Sequence, residues 1–92
     1  MTKLQAEKFG EEAGRRRAEW IYTDTPYHRL AATLEIFRRP DSWKIRESDL
    51  HQNGNVPTSL KADFARGYER AGVKAIEKYI KEGLSDGYLK EV

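Results

Sequence analysis

Between residues 6 and 18 every fourth position carries one side-chain carbon or none: Ala6, Gly10, Gly14 and Ala18. Four-residue spacing is one of the natural ridges of an α-helix, so these positions line up as a single bare strip. A glycine in a helix interior costs roughly 1 kcal/mol relative to alanine, and two of them one turn apart demand an offsetting contact. Close approach of a second helix supplies it, with axes near the lower end of the roughly 8–10 Å range. A similar strip, Gly67, Ala71 and Ala75, stands on a later segment. The spacing therefore predicts two helices paired through small residues. The alternative is that the strip stays open and receives a partner helix, a second copy of this chain included.

The remaining pattern fills in an all-α chain. A first helix is expected over 3–22, with Phe9, Ala13 and Trp20 on its apolar stripe. Glu11 with Arg15, and Glu12 with Arg16, form acid-before-base pairs on its outer face. Thr25 followed by Pro26 reads as the cap and first turn of a second helix over 26–38, whose buried face carries Tyr27, Leu30, Leu34 and Phe37. Residues 40–57 read as an irregular packed loop with a helical turn, anchored by Trp43, Ile45, Leu50 and Val56. The last helix is expected to begin at Thr58 or Ser59 and to end at Gly83, a left-handed C′ position with Leu84 as its apolar contact. Its apolar surface covers more than half the circumference, which suits a helix packed against more than one neighbour. The expected architecture is one compact domain over 1–92, three principal helices with the third as hub. After it, a turn at Asp86-Gly87 offers Tyr88, Leu89 and Val92 as docking groups.

At 92 residues the core is small, so nearly every large apolar residue is needed in it, both tryptophans included. The chain has no cysteine, which removes disulfides, thiolate metal sites and cysteine nucleophiles. Its first residues lack a secretory h-region and no apolar run approaches a membrane span, so a cytoplasmic protein with no membrane partner is expected. His28 and His51 lie far apart and show no ligand spacing. The segments "GEEAG" and "GYERAG" fall inside helices, where they cannot cradle a phosphate as a P-loop does, and the serines lack a nucleophile elbow. No enzyme activity, cofactor or metal is expected.

Charge is uneven. Net charge is only +2, but residues 15–46 hold eight basic and four acidic side chains, and seven of the nine arginines lie in the first half. That asymmetry points to an anionic partner. Arg15, Arg16 and Arg17 form one cluster beside Trp20 and Tyr22. Arg38, Arg39, Lys44 and Arg46 form another beside Trp43. Arginine with stacking aromatics grips single-stranded or irregular RNA through phosphate pairing and base stacking. Arg15 and Arg16 are expected to point away from the small-residue strip. Arg17 projects toward the apolar stripe, where it either covers apolar surface and pairs with Asp63 or Glu69, or contacts a phosphate or base. The protein-partner alternative uses the small-residue strip, in a homodimer for example, or the loop from Trp43 to Leu50.

"GEEAG", "TPYHRL" and "FARGYERAG" together give the chain a faint likeness: it resembles the ribosome modulation factor and related small helical proteins. Gly10, Ala13, Gly14, Pro26 and Tyr27 carry the match, with Gly67, Tyr68 and Gly72 repeating its pattern. The segment 30–59 has no counterpart there, and the second helix lacks the family's tryptophans. The resemblance implies ribosomal RNA contact through basic residues and no catalysis. The sequence expectation is thus a non-catalytic protein that docks an arginine-bearing face on RNA or a ribonucleoprotein complex, or an inhibitor or adaptor that binds another protein.

Overall fold

The computed structural model describes residues 1–85, with side chains described through Gly83. Four α-helices follow one another: α1 (Lys3–Asp24), α2 (Tyr27–Phe37), α3 (Glu47–Gln52) and α4 (Lys61–Ser85). Single 3-10 turns at Pro40–Ser42 and Thr58–Leu60 join them. No strand occurs among the described residues, and no described helix is long and apolar enough to cross a membrane. The expected all-α domain is the observed one.

Its frame is the α1–α4 pair. Gly10 faces Phe64 and Tyr68, Gly14 faces Tyr68 and Gly72, and farther along Tyr22 stacks on Tyr79. The two helices therefore run side by side in the same direction. Their contact is backbone on backbone: a Cβ at Gly10 would lie 2.1 Å from the Phe64 carbonyl oxygen, and one at Gly14 would lie 2.4 Å from that of Tyr68. From the other side, a Cβ at Gly67 would lie 2.1 Å from the Glu7 carbonyl oxygen. Ala6, Gly10, Gly14 and Ala18 are all buried, so the strip is the packing face. The mating surface is adjusted in one respect. Gly67 meets α1, but Ala71 and Ala75 line a groove beside the seam.

Because α1 and α4 are parallel, the chain must travel back between them, and residues 25–60 are that return. At the far end Leu30 and Leu34 of α2 pack on Ala18, Ile21 and Ile76. At the near end Leu50 and Val56 pack on Ala6, Ala13 and Phe64. Trp43 reaches in between, its ring edge-on to Tyr68 at 5.3 Å and its Nε1 donating to the Phe37 carbonyl at 2.6 Å. The ring occupies the space over Gly72, where a Cβ would come within 2.4 Å of it. So α4 touches every other helix but gives most of its length to α1, with α2 confined to one end.

Several element ends differ from the sequence expectation. Thr2 caps α1 in a reciprocal box: its Oγ1 accepts from the Gln5 N–H at 3.1 Å and the Gln5 Oε1 accepts from the Thr2 N–H at 2.8 Å. Helix α1 runs to Asp24, which makes Thr25 its terminal donor to the Ile21 carbonyl. Thr25 is therefore not the cap of α2, which begins at Tyr27 after Pro26 without a side-chain cap. Thr58 and Ser59 belong to the 3-10 turn, and α4 starts at Lys61. Gly83 is buried inside α4, which continues to Ser85, so it is not a left-handed terminator. Among the described residues the left-handed ones are instead Gly54 (φ 97°) and Asn55 (φ 51°), which turn the chain after α3 while Val56 N–H closes back on the Leu50 carbonyl at 2.9 Å. The expected contact of Leu84, the turn at Asp86-Gly87, and Tyr88, Leu89 and Val92 lie outside the described side chains.

The apolar stripe of α1 is also rotated from its expected position. Phe9 lies at the margin, covering Gly54, and Trp20 is 53% exposed. Tyr27, expected on the buried face of α2, is exposed. The reason is the seam: burying the glycine strip against α4 turns the large side chains at 9 and 20 toward the flank.

Candidate nucleic-acid interface

Where the returning chain passes α1, the two do not close completely. A polar cleft of about 520 Å³ remains, lined by Ala13, Arg16 and Arg17 of α1, by residues 42–53 in part, and by Tyr68 of α4. Three arginines, Arg16, Arg17 and Arg46, line it together with Asp49. Each is presented differently. The Arg16 Nη2 donates to Asn53 Oδ1 at 2.8 Å, and Asn53 is itself fixed by donating its Nδ2 to the Asp49 carbonyl at 2.7 Å. Asp49 is fixed in turn, accepting from the Arg46 N–H at 2.7 Å. Arg17 lies over the Trp20 ring, 4.7 Å from its centroid. The guanidinium and the indole thus stack together with half of the indole still open to solvent.

The wall of the cleft is aromatic. Tyr68 packs between Phe64 and Trp43. Burial pushes its hydroxyl above the usual tyrosine range; Arg17 pulls it down and Asp49 pushes it up. Both charges therefore act on this phenol, and it stays neutral at physiological pH. The cleft can hold an anion between forked donors and offer the phenol as a hydrogen-bonding group, while Trp20 is joined to it through Arg17.

The structure divides the seven basic residues expected to act together. Arg16, Arg17 and Arg46 converge. Arg15 lies on another side of α1, along the groove with Ala71 and Ala75, because neighbouring helix residues are about 100° apart. It therefore borders the seam and does not point away from it. Arg38 pairs with Glu35 at 3.1 Å at the end of α2. Arg39 and Lys44 are exposed on the returning chain and do not line the cleft. Arg17 takes Trp20 as its partner; Asp63 pairs with Arg66 instead, at 3.4 Å. Glu11 bonds Arg70 of α4 across the seam. Arg70 also donates to Glu7 at 2.6 Å, and these carboxylates raise its already high pKa.

Trp43 and Leu50 cannot form a partner-binding loop surface. They are 3% and 1% exposed, and they anchor the return to the core. Of the two tryptophans, only Trp43 is core. Sequence reasoning missed Asp49, Asn53 and Tyr68. The four-residue spacing of Asp49, in α3, and Asn53, which ends it, was a usable signal; the position of Tyr68 depends on the fold. His51 Nδ1 lies 3.0 Å from Asn55 Oδ1, and His28 is exposed on α2. Among the described residues no group of three or more histidines and carboxylates is placed to hold a metal ion. Comparison with known proteins gave no match to any family model, curated protein or solved structure.

Proposed function

We propose that the protein is a non-catalytic RNA binder that grips a single-stranded or irregular segment, free or in a ribonucleoprotein particle, through the Arg16–Arg17–Arg46 cleft. The observation that carries this reading is the convergence of Arg46 with the distant neighbours Arg16 and Arg17, the last already stacked on an exposed indole. Guanidinium forks match phosphate oxygens in pairs, and an open indole accepts a base without regard to its identity. Three cations against one carboxylate leave the cleft with surplus positive charge, although the whole chain is nearly neutral. The likeness of residues 10–27 and 67–72 to the ribosome modulation factor agrees with an RNA target.

The test is binding of a fluorescent single-stranded RNA of mixed sequence to the triple variant Arg16→Glu, Arg17→Glu, Arg46→Glu. Affinity should fall by more than about thirtyfold, which corresponds to roughly 2 kcal/mol. The slope of log affinity against log salt should lose about 2, since each phosphate contact contributes roughly 0.7 on single strands. The variant should keep its circular dichroism spectrum, because all three side chains are exposed. Arg38→Glu with Arg39→Glu, reversing charges outside the cleft, should change affinity much less. Undiminished binding by the cleft variant refutes the reading.

A further inference from the structure

The returning chain covers one side of the α1–α4 seam. Another stretch of the seam carries a groove of about 560 Å³, with Ala71, Ala75 and Tyr79 as its apolar lining and Arg15, Lys74 and Lys78 as its cations. We propose that this groove is a docking site for an acidic amphipathic helix of a partner protein, independent of the RNA cleft.

Charge is the first argument. Toward the start of the helix pair the ladder across the seam is matched: Glu7 and Glu11 of α1 face Arg66 and Arg70 of α4. One turn later the matching fails. Arg15 occupies the place of an acid and shares the groove with Lys74 and Lys78. Among the described residues Arg15 and Lys74 have no ion-pair partner, and Lys78 reaches only Glu82 of its own helix at 3.9 Å, with both side chains exposed. Three cations against the single carboxylate of Glu19 leave the groove with surplus positive charge, which favours an acidic ligand. Shape is the second argument. Alanines four residues apart leave a shallow trough that the side-chain ridge of another helix fills.

Two other occupants fit less well. A nucleic acid would need an aromatic face, but the Tyr79 ring is already stacked on Tyr22 at a centroid distance of 4.5 Å. In a second copy related by a two-fold axis, the same three cations would face one another.

The probe is a synthetic amphipathic peptide of about 16 residues, long enough to form helix, with glutamates flanking a leucine and alanine stripe. Titrated into the ¹⁵N-labelled protein, it should shift the amides of Ala71 and Ala75. Lys74→Glu with Lys78→Glu should weaken it about tenfold, an effect of roughly 1.4 kcal/mol, while Arg16→Glu with Arg17→Glu leaves it unchanged. Arg15→Glu provides a second reduction should the lysine pair alter folding. The proposal is overturned by unshifted Ala71 and Ala75 at millimolar peptide, or by equal binding of the lysine-for-glutamate peptide. It is also overturned if RNA perturbs these amides in preference to the peptide, or if the protein doubles its mass through this face. Since the cleft variants score RNA binding alone, failure of one site does not decide the other.

Discussion

The seam between α1 and α4 and the chain that returns between them solve the same packing problem by opposite means. At the seam, side chains are removed until two backbones touch. In the return, a few large side chains reach inward: Leu30, Leu34, Trp43, Leu50 and Val56. A backbone contact has no way to give, since the opposing atom is a carbonyl fixed in a helix. A side-chain contact can repack. The difference shows where this small domain is rigid and where it can vary, and the polar cleft lies on the boundary between the two.

The sharpest way to break that contrast is Gly10→Ala with Gly14→Ala. Each alanine improves helix propensity by roughly 1 kcal/mol, yet each new methyl meets a carbonyl oxygen at 2.1 or 2.4 Å. The net loss should reach roughly 5 kcal/mol, a large share of the stability of a domain this size. Urea unfolding measures it, and a stabilised double variant would show that the seam is not tight. Gly72 offers the intermediate case, because its neighbour is the Trp43 ring and not backbone. Gly72→Ala should cost roughly 2 kcal/mol in the native protein and far less in a Trp43→Leu background, a coupling of about 1–2 kcal/mol in a double-mutant cycle. No side-chain change should rescue Gly10→Ala in this way.

The smallest effect concerns Tyr68, which touches both regions. Its pKa is raised in the folded protein, and that of Tyr79 is raised as well. A raised folded pKa leaves stability intact below the unfolded value near 10 and removes it as pH climbs beyond. Chemical denaturation between pH 9 and 12 should therefore show declining stability above pH 10, and Tyr68→Phe should flatten the decline.

The rigid half was the legible half. A glycine every fourth residue has few explanations in a helix, so the seam could be read from spacing alone. Its direction could not, because a four-residue ridge looks the same for parallel and antiparallel partners. Trp20 and Trp43 show the other limit. Both are large and apolar, and the need for core argued for burying both; only the rotation imposed by the glycine strip turns one of them outward. All three cleft arginines were named from composition and clustering, but so were Arg15, Arg38, Arg39 and Lys44. Helix geometry separates Arg15, and the path of residues 25–60 separates the rest: it brings Arg46 back alongside Arg16 and Arg17 and sends Arg38, Arg39 and Lys44 elsewhere. A chain's return path depends on tertiary contacts that no local pattern encodes.

The parallel pair also governs how the molecule assembles. Arg70 meets Glu7 and Glu11 at sequence separations of 63 and 59, distances comparable to an entire small domain. Helical proteins usually gather contacts between neighbours in sequence and fold fast for that reason. Here the defining contact waits until the two ends of the chain have met, and α1 offers glycine and alanine where an early collapse would need bulk. The aliphatic and aromatic anchors of the return touch both helices and hold α4 near α1. The segment that shapes the polar cleft is therefore also the tie that keeps the two backbones together.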